Sequence, residues 1–303
     1  MRTGGQFLLI LLLVSVCSSC SDTMIDPFEN EEKLFTIWGY LDQLSADHAV
    51  RVVPVTRFPE NILSPTDPQA QIDAEVYSTD LTSGERIRWN HELSQLEDGT
   101  YGHVFKSHFL LNPRRGYRLE VIRADGKMTS AQTRVPGINS DTLFVRSPVV
   151  WEQDSTFVYQ DITIRQIASP WDIKMYYWWE GGTAKQGVYV PYNRQGSRTN
   201  DGGWKIRANI SEDQPAVWAR VQWAQDTGLL TPTGTHHVFA MGIQIRILDG
   251  NWDPPLGVFD LEILAQPGVL SNVVGGHGFF GSVGLYAQEW SIEDISKSLG
   301  YPY

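Results

Sequence analysis

Tyr117-Arg118-Leu119-Glu120-Val121, Asp125-Gly126 and Met128 to Val135 are the stretch whose reading decides the fold class. Apolar Tyr117, Leu119 and Val121 alternate with charged Arg118 and Glu120, which is the period of a half-buried strand. Asp-Gly is a strong signal for a tight hairpin turn, so Met128 to Val135 reads as the return strand. Outward from this hairpin the same grammar repeats. Leu34 to Tyr40, Ala49 to Phe58, Ile72 to Tyr77, Arg86 to Asn90 and Tyr101 to Phe109 each predict a strand. About seven short strands over roughly 100 residues is the size of an immunoglobulin-like or fibronectin-like sandwich.

Val135-Pro136-Gly137 interrupts the run, and composition changes beyond it. Trp38 and Trp89 precede this point, and nine of the eleven tryptophans follow it. A boundary near residue 138 divides the chain into an N-terminal β-sandwich domain, 33–137, and a Trp-rich C-terminal β domain, 138–303. Within the latter, Thr156 to Ile167, Ile173 to Glu180, Gly187 to Pro191, Trp204 to Ile210, Ala216 to Trp223 and Val238 to Leu248 predict strands. Ser291 to Leu299 predicts a short helix with Ile292, Ile295 and Leu299 on one side. The expected class is all-β, with two sandwich domains.

The first 32 residues follow another logic. Arg2, the apolar run Phe7 to Val16 and small Ser18-Ser19 before Cys20 have the layout of a secretory signal, 1–19, resembling a lipoprotein signal. A ten-residue apolar core is far short of the about 20 residues that span a bilayer. Cys20 is preferred to Cys17 as the acylated residue, because Ser19 is small and Val16 is not. Removal of 1–19 leaves Cys20 as the single cysteine, so no internal disulfide is expected. Residues 20–32 carry Asp22, Asp26, Glu29, Glu31 and Glu32 with no base, which predicts a disordered tether. Fully extended, it would reach roughly 40 Å. A net charge of −11 argues against nucleic acid and anionic headgroups as partners, leaving membrane attachment to the N-terminal lipid.

Several fragments occur together in a known order. These are Phe35-Thr36-Ile37-Trp38-Gly39-Tyr40, Asp98-Gly99-Thr100-Tyr101, Gly116 to Val121, Val135-Pro136-Gly137-Ile138-Asn139-Ser140, and the closing stretch Gln266 to Gly281 with Ser271-Asn272 and Gly275-Gly276-His277-Gly278-Phe279-Phe280-Gly281. In this order they resemble the Bacteroidota lipoproteins grouped as domain of unknown function 4249. The resemblance implies an outer-membrane lipoprotein, held on the periplasmic or surface face, in genomes rich in TonB-dependent transporters. It implies no reaction.

Gly276 to Gly281 fits Gly-x-Gly-x-x-Gly, but a pyrophosphate cradle needs a strand-to-helix turn in a βαβ unit. A glycine loop in close backbone contact, with Phe279 or Phe280 plugging the core, is the expectation. His91-Glu92-Leu93-Ser94-Gln95 lacks the second histidine of a zinc-protease motif. His236 and His237 would point to opposite sides of a strand. Neither a metal nor a cofactor is expected, and no nucleophile elbow or Cys-His pair occurs.

Tryptophan placement carries the sharpest expectation. As a strand, Ile173 to Glu180 puts Ile173, Met175, Tyr177 and Trp179 on the core face and Lys174, Tyr176, Trp178 and Glu180 on the outer face. Ala216 to Trp223, read likewise, turns Val217, Ala219, Val221 and Trp223 inward and Trp218, Arg220 and Gln222 outward. Tyr176, Trp178 and Trp218 are therefore the candidate ligand-binding residues, for a glycan or peptide; packing beneath a neighbouring loop or against the first domain is the alternative that stays open. The irregular stretch Arg57 to Ala70, with Pro59, Pro65 and Pro68, is a second candidate region. A non-catalytic binding or accessory lipoprotein, working with an outer-membrane transporter, is the first functional expectation. A β-sandwich carbohydrate hydrolase using paired carboxylates and a structural envelope protein stay open at this point.

Overall fold

The computed structural model describes residues 33–56, 61–137, 142–148, 150–151, 158–167, 170–181, 184–192, 196–201, 203–229, 237–252 and 271–291. The signal 1–19, Cys20, the tether, the boundary at 138 and the predicted helix at Ser291 to Leu299 (beyond Ser291 itself) lie outside them.

Seven strands make up the first half: β1 (Phe35–Asp42), β2 (Asp47–Pro54), β3 (Glu75–Asp80), β4 (Arg86–Gln95), β5 (Tyr101–His108), β6 (Gly116–Ile122) and β7 (Met128–Arg134). β6 and β7 form the predicted hairpin, with Tyr117 opposite Thr133 and Val121 opposite Thr129. Gly126 takes φ 83°, the left-handed conformation that the turn demands. β4 changes partner along its length. Arg86 to Trp89 pair with β3, and Asn90 to Gln95 pair with β5. Trp89 sits at this change, buried, with its indole N–H donating to Ser78 Oγ at 3.0 Å. The strand thus turns a corner, and the two groups of strands face each other across one apolar core that includes Ile37, Val52, Phe105 and Leu119.

The second half contains β8 (Leu143–Arg146), β9 (Val150–Trp151), β10 (Val158–Arg165), β11 (Pro170–Gly181), β12 (Ala184–Pro191), β13 (Ser197–Arg198), β14 (Trp204–Asn209), α1 (Ile210–Asp226), β15 (His237–Leu248), β16 (Val273–Val274) and β17 (Gly276–Ser291). One twelve-stranded sheet runs β12-β11-β15-β17-β1-β2-β5-β4-β3-β6-β7-β16. A smaller sheet, β13-β14-β10-β8 with β9 beside β10, covers the inner face of β11, β15 and β17. The architecture is all-β and sandwich-like, as expected, apart from α1.

The sixteen-residue β17 serves both cores. Its start runs parallel to β1 and buries Phe280 in the first core, and its end pairs with β15 and buries Tyr286 and Trp290 in the second. The expected glycine loop is therefore a strand. Gly276 and Gly278 lie so close to β1 that a Cβ on either would strike the carbonyl oxygen of Phe35 or Ile37, and Gly278 has φ 97°. Glycine is the residue that tolerates both demands.

Ala216 to Trp223 is not a strand but the middle of α1. Asn209 caps the helix, its Oδ1 accepting from Glu212 N at 3.3 Å, with Glu212 and Asp213 in the first turn. Both features favour a helix start. The buried residues Ile210, Val217, Val221 and Ala224 follow helical rather than alternating spacing. Trp223, expected to face inward, is 44% exposed, with the Arg220 guanidinium 3.7 Å from its ring centre.

Candidate functional site

β11 shows the predicted alternation. Ile173, Met175 and Tyr177 enter the second core, while Tyr176 and Trp178 take the other face. The Trp179 side chain lies outside the described residues. The two outer rings meet edge to face, with centroids 6.0 Å apart. Tyr189 on β12, opposite Tyr176 in register, joins them at 5.6 Å and is 53% exposed.

Glycines on the flanking strands seat these rings. Gly242 on β15 lies opposite Tyr176, and a Cβ there would collide with its ring. Gly187 on β12 lies opposite Trp178, where a Cβ would come within 2.7 Å of Cζ3. Each ring lies across its glycine, so Tyr176 is buried despite its outward direction, and Trp178 is half-buried. The Trp178 indole N–H donates to Glu289 Oε2 at 3.1 Å from β17. Burial, helped by nearby Glu289 and Tyr189, pushes the Tyr176 hydroxyl up to about 12, so at neutral pH it stays protonated and remains a donor. The surface is an aromatic shelf with one fixed, exposed carboxylate beside it.

Trp218 is not part of this shelf. It lies on α1 and packs against the second core, on the Tyr177 side of the sheet. Alternation would turn Trp218 outward, whereas the helical spacing of α1 turns it toward the core. Tyr189 was the missed member. Its alternation within Gly187 to Pro191 was legible, but its position opposite Tyr176 required the β11–β12 register.

Behind the sheet, the Tyr177 hydroxyl donates to the Asp213 carboxylate. Burial drives Asp213 up to about 6, an effect that the Tyr177 hydrogen bond partly opposes. This carboxyl caps the packing of α1 on β11, away from the aromatic shelf.

The second candidate region, Arg57 to Ala70, is described from residue 61. Tyr101 N donates to Ile62 O at 2.8 Å, and His103 Nε2 lies 2.9 Å from Gln69 O. His91 Nε2 is 2.9 Å from His103 Nδ1, and burial lowers the pKa of both rings. With His103 Nε2–H donating to the carbonyl, Nδ1 accepts from His91, which accounts for both neutral rings. A hollow of about 470 Å³ opens beside them, lined by Arg51, Asn61, Gln71 and Tyr101 among others. No group of three or more metal-ligating side chains occurs among the described residues. No helix among them is long and apolar enough to cross a membrane.

No protein-family model matches the chain, and no curated protein matches it. Among solved structures, pullulanase from Anoxybacillus sp. LM18-11 aligns at 9% identity with a TM-score of 0.21, covering 70% of this chain and 24% of that one. The pullulanase complexed with maltotriose from the same organism aligns at 12% identity with a TM-score of 0.21, covering 57% and 22%. The chain thus spans about a quarter of these structures, and a likeness of that degree bears on neither its fold nor its activity.

Proposed function

We propose that the protein is a non-catalytic binding lipoprotein of the outer membrane, anchored through acylated Cys20, that captures a glycan or peptide for a partner transporter. The observation that carries the reading is the shelf of Tyr176, Trp178 and Tyr189 with Glu289 at its side. Flat rings bury large area at small entropic cost. Covering one ring is worth a few kcal/mol, so two open rings support affinities of roughly micromolar order. Tyr176 serves as the seat of the shelf, and Trp178 and Tyr189 as its contact surface. The features favour binding over hydrolysis. Glu289 is engaged in orienting the indole, and Asp213, the carboxyl raised toward neutrality, is turned to the opposite side of the sheet under Tyr177.

A glycan array run beside a peptide panel and a hydrolysis screen tests the reading. Binding without turnover is the expected result, weakened about tenfold or more by Trp178→Ala or Tyr189→Ala. Turnover of any bound glycan overturns the non-catalytic reading, and unchanged affinity in both variants removes the shelf. Labelling with a clickable palmitate analogue, lost in Cys20→Ala, tests the anchor. Co-purification of the lipidated protein with a transporter tests the partner.

A further inference from the structure

Most arginines of this acidic chain have visible employment. Arg88, Arg115 and Arg165 lie 2.8–2.9 Å from carboxylate oxygens. Arg198 and Arg220 lie over tryptophan rings. Arg114 and Arg134 have neither kind of partner among the described residues. Both line a groove where the two halves meet, formed by adjoining hollows of about 520 and 360 Å³ that share Arg114, Arg134, Asp249 and Gly250.

Arg114 stands where the backbone favours glycine. Arg115 N reaches Asn112 O at 3.4 Å across Pro113 and Arg114, and Arg114 has φ 65°. Proline followed by a left-handed residue is the type II turn, whose third position suits glycine because a Cβ is strained there. The side chain is nonetheless accommodated. Gly137 leaves it room, since a Cβ on Gly137 would come within 2.8 Å of Arg114 Cγ. Arg134 Nε donates to Arg114 O at 3.1 Å, which ties the second arginine to the first. Local strain of this kind gathers at binding sites.

Asp249 does not neutralise the pair. It is buried in the groove floor and accepts from Ser282 N and Oγ, each at 3.0 Å, from Asn251 N at 2.9 Å, from Asn251 Nδ2 at 3.3 Å and from the Thr133 hydroxyl. Burial raises its pKa, and it forms no ion pair with either arginine. Pro136 and Ile167, both partly exposed, supply an apolar wall in the same hollow, backed by buried Ile247. The volumes fall in the range of small-molecule sites, and meeting points of structural units are favoured places for them.

We infer that this groove binds a small organic anion, its carboxylate or phosphate gripped by the forked guanidiniums of Arg114 and Arg134 and its apolar body laid on Pro136 and Ile167. Guanidinium suits either head group because its paired N–H donors match two acceptor oxygens. The site is independent of the aromatic shelf.

Calorimetric titration of the detergent-solubilised full chain with benzoate and with phenyl phosphate tests it. Saturable binding that weakens with salt is expected, and Arg114→Gly and Arg134→Gln should each weaken it about tenfold or more. Arg114→Gly relieves the turn, so its melting temperature should not fall, which separates lost binding from lost folding. Binding of benzoate alone fixes the head group as carboxylate, of phenyl phosphate alone as phosphate, and either upholds the site. Absence of saturation by both probes overturns it, as does equal affinity in the wild type and both variants.

Discussion

Tyr177 is fully buried with its hydroxyl on Asp213, in a core shared by two sheets and a helix. Tyr176, one residue earlier, points to the opposite side of the same strand and is also buried, beneath Trp178 and Tyr189 and above Gly242. The two tyrosines reach similar burial by different routes. The inner ring is enclosed because an entire layer packs on it. The outer ring is enclosed because its cross-strand neighbour has no side chain and leaves a notch. Burial on the outer face is thus a local arrangement of a few rings, and it leaves Tyr189 available to a partner.

The largest expected effect breaks the inner side of this comparison. Met175→Ala removes a fully buried side chain and should cost about 2–5 kcal/mol, whereas Trp178→Ala on the outer face should cost at most about 2 kcal/mol. Urea unfolding of both variants checks the ordering, and equal losses would show that the outer face is core in all but direction.

Next comes the notch itself. Gly242→Ala drives a methyl into the Tyr176 ring and should destabilise by about 1–3 kcal/mol. Combining it with Tyr176→Ala should recover part of that loss, since residues in contact are not additive. A double-mutant cycle in denaturant measures the coupling.

The smallest effect is pH dependence. Asp213 titrates at about 6 in the folded chain and at about 4 when unfolded. Between those values the native state binds the extra proton, so its contribution to stability is present at the acid end and is lost as pH rises from about 4 to about 6. Melting temperatures across this window should fall less steeply in Asp213→Asn. The same sign holds for Asp249, whose pKa burial also raises.

Alternation alone located β11, β6, β7 and the inward set Ile173, Met175 and Tyr177, because a pleated strand places successive side chains on opposite faces whatever surrounds it. The Asp125-Gly126 turn was equally legible, since its requirement is local. The same rule failed at Ala216 to Trp223. Val217 and Val221 satisfy both a two-residue and a four-residue spacing, so alternation alone does not separate strand from helix there, although Asn209 and Glu212 are a helix-start signal. Trp218 was misplaced with it.

What the tertiary structure alone decided concerns partners distant in the chain. Tyr189 joins Tyr176 through strand register, Trp178 meets Glu289 across 111 residues, and Phe280 enters the first core because β17 pairs with β1. Arg114 and Arg134 are neighbours within the β6–β7 hairpin, but the groove they line exists only where that hairpin meets Asp249 and Gly250, just past β15. Local patterns determine which way a side chain points. Pairing between strands determines what it finds there, because register is set by the combined packing of every strand in the sheet and by no single segment.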